Sequence, residues 1–291
     1  MHVWSITRQI RKKNTAITYR FVLGRFRKQF EKARVDKLTS EDIFSFLAAF
    51  TEGKKQSTKY TCCAVLRAFF NHIIYRYQFS FQNPCDNRII RHVFRPPRVG
   101  AIDIVDRETV DEIIYATKLM RDRLILELLA RGGMRIGEVL KLTPADIDGI
   151  KIILLQPKSG WEKEVVFIPK RISERLRNYV RDEGIHSHEN IFPLTYGGAR
   201  HVVKRAGKRL GIKLRPHDLR RYAATFASRS GVPLEVVSKV ILRHKNLSTT
   251  QRYLGKVSEA EAARWIDRIY EWGGYIILGL IKSQPRLYQV C

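Results

Sequence analysis

His217-Asp218-Leu219-Arg220-Arg221-Tyr222-Ala223-Ala224-Thr225 is the stretch on which the reading of this chain turns. Its pattern predicts a helix over residues 217–230, and positions three apart on a helix are neighbours, so His217 and Arg220 share one face. Taken alone, such a pair is most simply a solvated or ion-paired surface feature. Two other stretches change its meaning. Upstream, Gly132-Gly133-Met134-Arg135-Ile136-Gly137-Glu138 puts Arg135 just after two glycines at a helix start, where an arginine beside backbone N–H groups suits an anion. Downstream, Leu242-Arg243-His244-Lys245-Asn246-Leu247-Ser248-Thr249-Thr250-Gln251-Arg252-Tyr253 ends on a tyrosine that by itself reads as a helix-end aromatic.

Between these stretches the pattern is helical with one interruption. Ile152-Ile153-Leu154-Leu155 and Val165-Val166-Phe167-Ile168 are short β-branched runs separated by a charged segment with Pro157, Ser159 and Gly160, which reads as a β-hairpin. Further helices are expected around 171–183, 198–210, 233–241 and 257–272. Toward the N-terminus, Tyr19, Val22, Leu23, Phe26 and Phe30 form one apolar stripe, with Arg20, Arg25, Arg27 and Lys28 off it. Thr39-Ser40-Glu41-Asp42 opens a second helix burying Ile43, Phe46, Leu47 and Phe50. A third begins at Ser57 or Thr58 and carries Val65, Leu66, Phe69, Phe70, Ile73, Ile74 and Tyr77, read as core. Arg95-Pro96-Pro97-Arg98-Val99-Gly100 breaks the helical pattern and reads as a linker. The expected fold is mainly α with a small β-sheet or hairpin, in two domains.

The charge supplies a partner class. Across 291 residues, 54 Lys and Arg face 28 Asp and Glu, a formal charge of +26. Residues 1–95 carry 19 of those cations but 6 of the acids, so the first third is the more basic. Such a surplus repels itself, and a polyanion is the usual reason for keeping it; nucleic acid comes first and an anionic membrane surface second. Four cysteines without CxxC spacing argue against a disulfide framework or structural zinc. The longest apolar run, Tyr275 to Ile281, is far short of the ~18 residues that cross a bilayer. No signal-peptide pattern opens the chain, so an intracellular, cytoplasmic protein is expected.

In order and spacing, Gly133 to Leu142, a hairpin lysine, His217 to Thr225, and Leu242 to Tyr253 together resemble the tyrosine recombinase family, phage integrases and Xer-type recombinases. The resemblance covers about residues 105–255. It implies a core-binding, DNA-binding domain over 1–95, a linker over 96–104, a catalytic domain over 105–256 and a C-terminal helix and tail over 257–291, closing on DNA as a C-shaped clamp. It further implies that Tyr253 attacks a DNA phosphodiester, forming a 3′-phosphotyrosine and freeing a 5′-hydroxyl. Arg135 and Arg220 would hold the phosphate, His217 would take the tyrosine proton, and His244 would hydrogen-bond the same phosphate. A hairpin lysine would protonate the leaving oxygen; Lys158 is favoured over Lys163. Glu138 would orient the cluster. No cofactor or metal is implied, because the phosphotyrosine keeps the ester.

The resemblance also implies double-stranded recombination sites as partner, a tetramer in the synapse, a monomer or dimer when free, and a Holliday-junction intermediate. DNA contacts are expected from Arg20, Arg25, Arg27, Lys28, Arg95, Arg98, Lys163, Arg200, Lys204, Arg205 and Lys208. The alternatives are strand relaxation of the type IB topoisomerase kind and a non-catalytic DNA-binding protein on the same scaffold. This chain departs from the family in three places: where glycine usually precedes the second histidine, Arg243 stands and is expected to add a charge near the phosphate, and the hairpin is one residue longer than the common pattern, which sets Lys163 against Lys158. A variant glycine turn before Arg135 is expected to matter little. The helix carrying Ala260, Ala263, Ile266, Ile269 and Tyr270 is expected to dock on a neighbouring protomer, and the apolar stretch 275–281 is left without a role.

Overall fold

The computed structural model describes residues 13–97, 104–155, 163–244, 246–251, 254 and 262–267. The chain divides into two compact units between Val99 and Gly100. The first contains α1 (Lys13–Gln29), α2 (Ser40–Phe50), α3 (Gln56–Tyr77) and α4 (Arg88–Val93). Its core follows the apolar stripes: Val22, Leu23 and Phe26 of α1 meet Ile43, Phe46 and Leu47 of α2 and Leu66, Phe69 and Phe70 of α3. The phenylalanines meet edge to face, Phe26 lying 5.3 Å from Phe46 and 5.9 Å from Phe70, which suits the quadrupoles of the rings. Thr39 caps α2: its hydroxyl accepts from the Asp42 N–H, and the Asp42 carboxylate accepts from the Thr39 N–H at 2.8 Å. Tyr77 is a correction to the expected core, being half exposed where α3 ends in a left-handed Gln78. Arg20, Arg25, Arg27 and Lys28 are exposed, off the buried stripe of α1.

The second unit is also helical: α5 (Arg107–Tyr115), α6 (Met120–Ala130), α7 (Ile136–Val139), α8 (Lys170–Asp182), α9 (Tyr196–Lys208), α10 (Pro216–Arg229), α11 (Leu234–Val236) and α12 (Leu247–Gln251). Helix α6 is its axis, with Leu124, Ile125, Leu126, Leu128 and Leu129 all buried, and α5, α8 and α10 pack around it. A run such as Leu124-Ile125-Leu126 and Leu128-Leu129-Ala130, apolar round most of the helix, is stable only when covered this way. Two acids inside it are paired with arginines of neighbouring helices, Asp122 with Arg205 and Glu127 with Arg175. Residues 262–267 are helical, with Ala263 and Ile266 exposed and the Trp265 ring partly buried near Gly231.

The expected hairpin is part of a three-stranded antiparallel sheet in the order β1 (Ile147–Asp148), β2 (Lys151–Leu155), β3 (Lys163–Phe167). Ile152 pairs with Val166 and Leu154 with Glu164, and these four form the buried face. The third strand therefore starts earlier than the run of β-branched residues suggests, and it carries an acid inward. A π-helical turn, Val237–Ile241, follows α11 directly and packs against β3 and α10. Among the described residues no helix is long and apolar enough to cross a membrane. Arg98, Lys158, Tyr253 and the stretch 275–281 lie outside the described residues.

Candidate active site

Arg135 stands immediately before α7, and the loop leading to it is shaped by its two glycines. Gly133 has φ +57°, and a Cβ there would come within 2.9 Å of Ile241 Cγ2, so both conformation and space demand glycine. This tight loop brings the Gly133 carbonyl to Arg220. Arg220, on α10 and 1% exposed, donates from Nη1 to the Gly133 carbonyl and from Nη2 to the Leu242 carbonyl. One buried guanidinium thereby ties three distant pieces of chain together: the loop before Arg135, the helix bearing His217, and the segment leading to His244.

Glu138 organises the Arg135 side. Its Oε2 accepts from the Arg135 backbone N–H at 2.8 Å and its Oε1 from Arg135 Nη1 at 2.5 Å. Burial by itself would raise the Glu138 carboxyl, but the Arg243 charge, the Arg135 N–H and the Arg135 guanidinium outweigh it and bring the pKa below the usual range. Glu138 thus contacts both the backbone and the guanidinium of Arg135.

Both histidines sit in the field of these arginines. His217 follows Pro216 in the first turn of α10, and partial burial of its ring, then Arg220, Arg221 and Arg135, lower its pKa against the opposing pull of Asp218. His244 is shifted further, to about 4, by burial first and then by Arg220, Arg135 and Arg243. Both imidazoles are therefore neutral at neutral pH, and a neutral ring is able to accept a proton. His244 Nδ1 lies 3.0 Å from Thr250 Oγ1, which lies 2.8 Å from Ser238 Oγ, and both hydroxyls are buried. The Thr250 hydroxyl donates its one proton to Ser238 Oγ, so toward His244 Nδ1 it stands as the acceptor. Arg135 and Arg220 act on both rings, so the two arginines and the two imidazoles are near neighbours, with Arg220 buried among them.

Arg243 overturns an expectation. Its charge is not presented to an incoming phosphate: the side chain is 4% exposed, and Nη2 donates to Glu138 Oε2 at 2.6 Å and Nε to Glu164 Oε2 at 3.1 Å. Glu164 itself escaped sequence reasoning. The available signal was its place beside Val166 on the inward alternation of β3, where an acid needs a partner. Thr250 and Ser238, which hold His244, had no signal at all.

The remaining expected contacts are dispersed. Lys163 is exposed at the start of β3, and Arg95 is exposed at the end of the first unit. Arg200, Lys204 and Lys208 recur at every fourth position of α9 and are exposed together. Arg205 differs, because Asp122 holds it at 2.7 Å and balances its charge within the unit.

The phage integrase family matches residues 104–259, more than half of the sequence. The chain belongs to that family. It is 32% identical over 164 residues to tyrosine recombinase XerA of Saccharolobus solfataricus, covering 55% of each chain. It is 28% identical over 264 residues to a tyrosine recombinase of Thermosipho africanus, covering 83% of this chain and 88% of the other. The chain spans 55% and 61% of the length of two archaeal XerA relatives, those of S. solfataricus and Thermococcus kodakarensis. Among solved structures, a lambda integrase dimer bound to a COC′ core site matches with TM-score 0.70 and 17% identity, over 87% of this chain and 92% of that one. XerH bound to a palindromic difH substrate matches with TM-score 0.69 and 20% identity, over 89% and 80%. These likenesses establish a shared integrase fold, mostly helical with a small sheet.

Proposed function

We propose that this chain is a site-specific recombinase that cuts and rejoins DNA through a covalent tyrosine intermediate. Arg135 and Arg220 hold the non-bridging oxygens of the scissile phosphate, and their planar, permanent charges stabilise the negative charge that grows there. His217, kept neutral, takes the proton from the Tyr253 phenol as its oxygen attacks phosphorus. His244 hydrogen-bonds the same phosphate. Lys158 protonates the departing 5′-oxygen, so the step ends with a 3′-phosphotyrosine and a free 5′-hydroxyl. Attack by a 5′-hydroxyl from a second strand reverses each transfer and restores the phenol. The ester energy is retained throughout, and no cofactor or metal takes part.

The observation that carries this reading is the buried Arg220, which binds the Arg135 loop and the His244 segment to the helix bearing His217. The exposed cations of α1 and α9 supply grip on the duplex backbone. Residues 1–95 serve as the core-binding domain, 96–104 as linker, 105–256 as catalytic domain and 257–291 as a helix and tail that docks on a second copy. Four protomers then pair two duplex sites through a Holliday junction, in the cytoplasm at the nucleoid.

The test uses suicide duplexes carrying sequences selected from a random library by binding to the protein, nicked so that the cut fragment diffuses away. Wild type accumulates a covalent protein–DNA adduct and Tyr253→Phe does not. No adduct on any selected duplex would refute the catalytic reading and leave a DNA-binding protein. Relaxation of supercoils without recombinant product would point to a topoisomerase. A 5′-bridging phosphorothiolate, whose leaving group needs no proton, should rescue Lys158→Ala; rescue of Lys163→Ala alone would move the acid to Lys163.

A further inference from the structure

Arg243 occupies a backbone position that favours glycine, with φ +51°, one of two non-glycine residues with positive φ among those described. A side chain with a Cβ is disfavoured in that conformation, so its presence calls for a compensating contact. The contact is a buried ionic cluster. Its guanidinium bridges Glu138 and Glu164, and its Nη1 donates to the Ile241 carbonyl at 2.9 Å. Glu164 Oε2 also lies 3.9 Å from Arg135 Nη1, while its Oε1 is buried with no hydrogen-bond partner among the described residues. Arg243 is thus the main compensation of Glu164, an acid that faces the phosphate-binding arginine.

The charges explain why both are needed. Arg135 and Arg220 carry two positive charges, and Glu138 and Glu164 carry two negative ones, so those four groups would present no net charge to a phosphate. Arg243 makes the balance of the cluster positive and engages Glu164, which would otherwise join Glu138 on Arg135. We propose that Arg243 and Glu164 are a compensating pair, and that Arg243 is a positioning residue that keeps Arg135 available to the scissile phosphate without touching it. This inference rests on the recombinase reading for its catalytic consequence, while the pairing itself rests on geometry. It follows that glycine at 243, the residue the backbone prefers, impairs this protein unless Glu164 is neutralised with it.

Four proteins test the pair: wild type, Arg243→Gly, Glu164→Gln and the double variant. Single-turnover cleavage is measured on a phosphodiester and on a methylphosphonate, whose scissile centre lacks the negative charge. Arg243→Gly should cleave the phosphodiester about tenfold or more slowly, because one partner of a buried pair is gone. Its loss on the methylphosphonate should be much smaller, and Glu164→Gln in the same background should restore most of the phosphodiester rate. Equal losses on both substrates, or no restoration, would overturn the positioning role. Melting temperatures of the four proteins read the pairing apart from catalysis. Glu164→Gln should raise the melting temperature of Arg243→Gly, and no rise overturns the pair even where wild type cleaves nothing.

Discussion

Replacing Gly133 by alanine probes the geometry on which the candidate site depends. The residue has φ +57°, which costs an alanine roughly 1–2 kcal/mol. Its new Cβ would lie 2.9 Å from Ile241 Cγ2 and 3.1 Å from the Ile241 carbonyl oxygen, contacts that the π-helical turn must move to relieve. Overpacking of that kind adds about 1–3 kcal/mol, giving a total of about 2–5 kcal/mol. The displaced Gly133 carbonyl is also the acceptor for Arg220 Nη1, so DNA cleavage should fall together with stability. Urea unfolding followed by tryptophan fluorescence suits the measurement, because three of the four tryptophans belong to the second unit. The midpoint should drop without a change in slope. Gly137→Ala is the matched control: no atom crowds a Cβ there and its backbone is helical, so alanine should be neutral or stabilise by up to about 1 kcal/mol. Adding Ile241→Ala to Gly133→Ala should recover the share due to Cγ2 and leave the carbonyl contact and the backbone share. A Gly133→Ala variant within about 1 kcal/mol of wild type would refute both the crowding and the left-handed requirement.

Acid should weaken the second unit through its histidines. His244 titrates at about 4 in the folded chain against 6.5 ordinarily, and His217 is lowered as well, so the unfolded state binds more protons between those values. Their contribution is complete above pH 6.5 and drains as pH falls toward 4; His244→Gln should flatten the melting-temperature profile across that window, and an unchanged slope would contradict it. In the first unit, Thr39→Ala removes the hydroxyl that caps α2 and should cost about 1 kcal/mol by chemical denaturation, with Thr39→Ser close to neutral. Neutralising Arg20, Arg25, Arg27 or Lys28 should each lower the salt slope of duplex binding by about one if these side chains meet phosphates. An unaltered slope in all four variants would remove α1 from the DNA surface.

The helices were legible because their signal is local. Apolar residues recur at helical spacing in α1, α2 and α3, and Thr39 with Asp42 announces a start that the hydrogen bonds repeat. The sheet was half legible: two β-branched runs revealed a hairpin, but Ile147–Asp148 is too short to signal a strand, and charged Lys163 and Glu164 masked the beginning of β3. Tyr77 misled because an aromatic on an apolar stripe is expected to be core, whereas the helix outruns the core beneath it.

Sequence order alone sufficed for the family and for the residue types a phosphate-handling site needs, because those recur in recognisable stretches. The partners of Arg243 belong to another class of information. Glu164 is 79 positions away from it and Glu138 is 105 away, and the local pattern of neither says which cation it meets. The charge of Arg243 was visible from the start, while its direction was not. Only folding brings β3, α7 and the π-helical turn together, and in that buried space two carboxylates claim the guanidinium before any phosphate can.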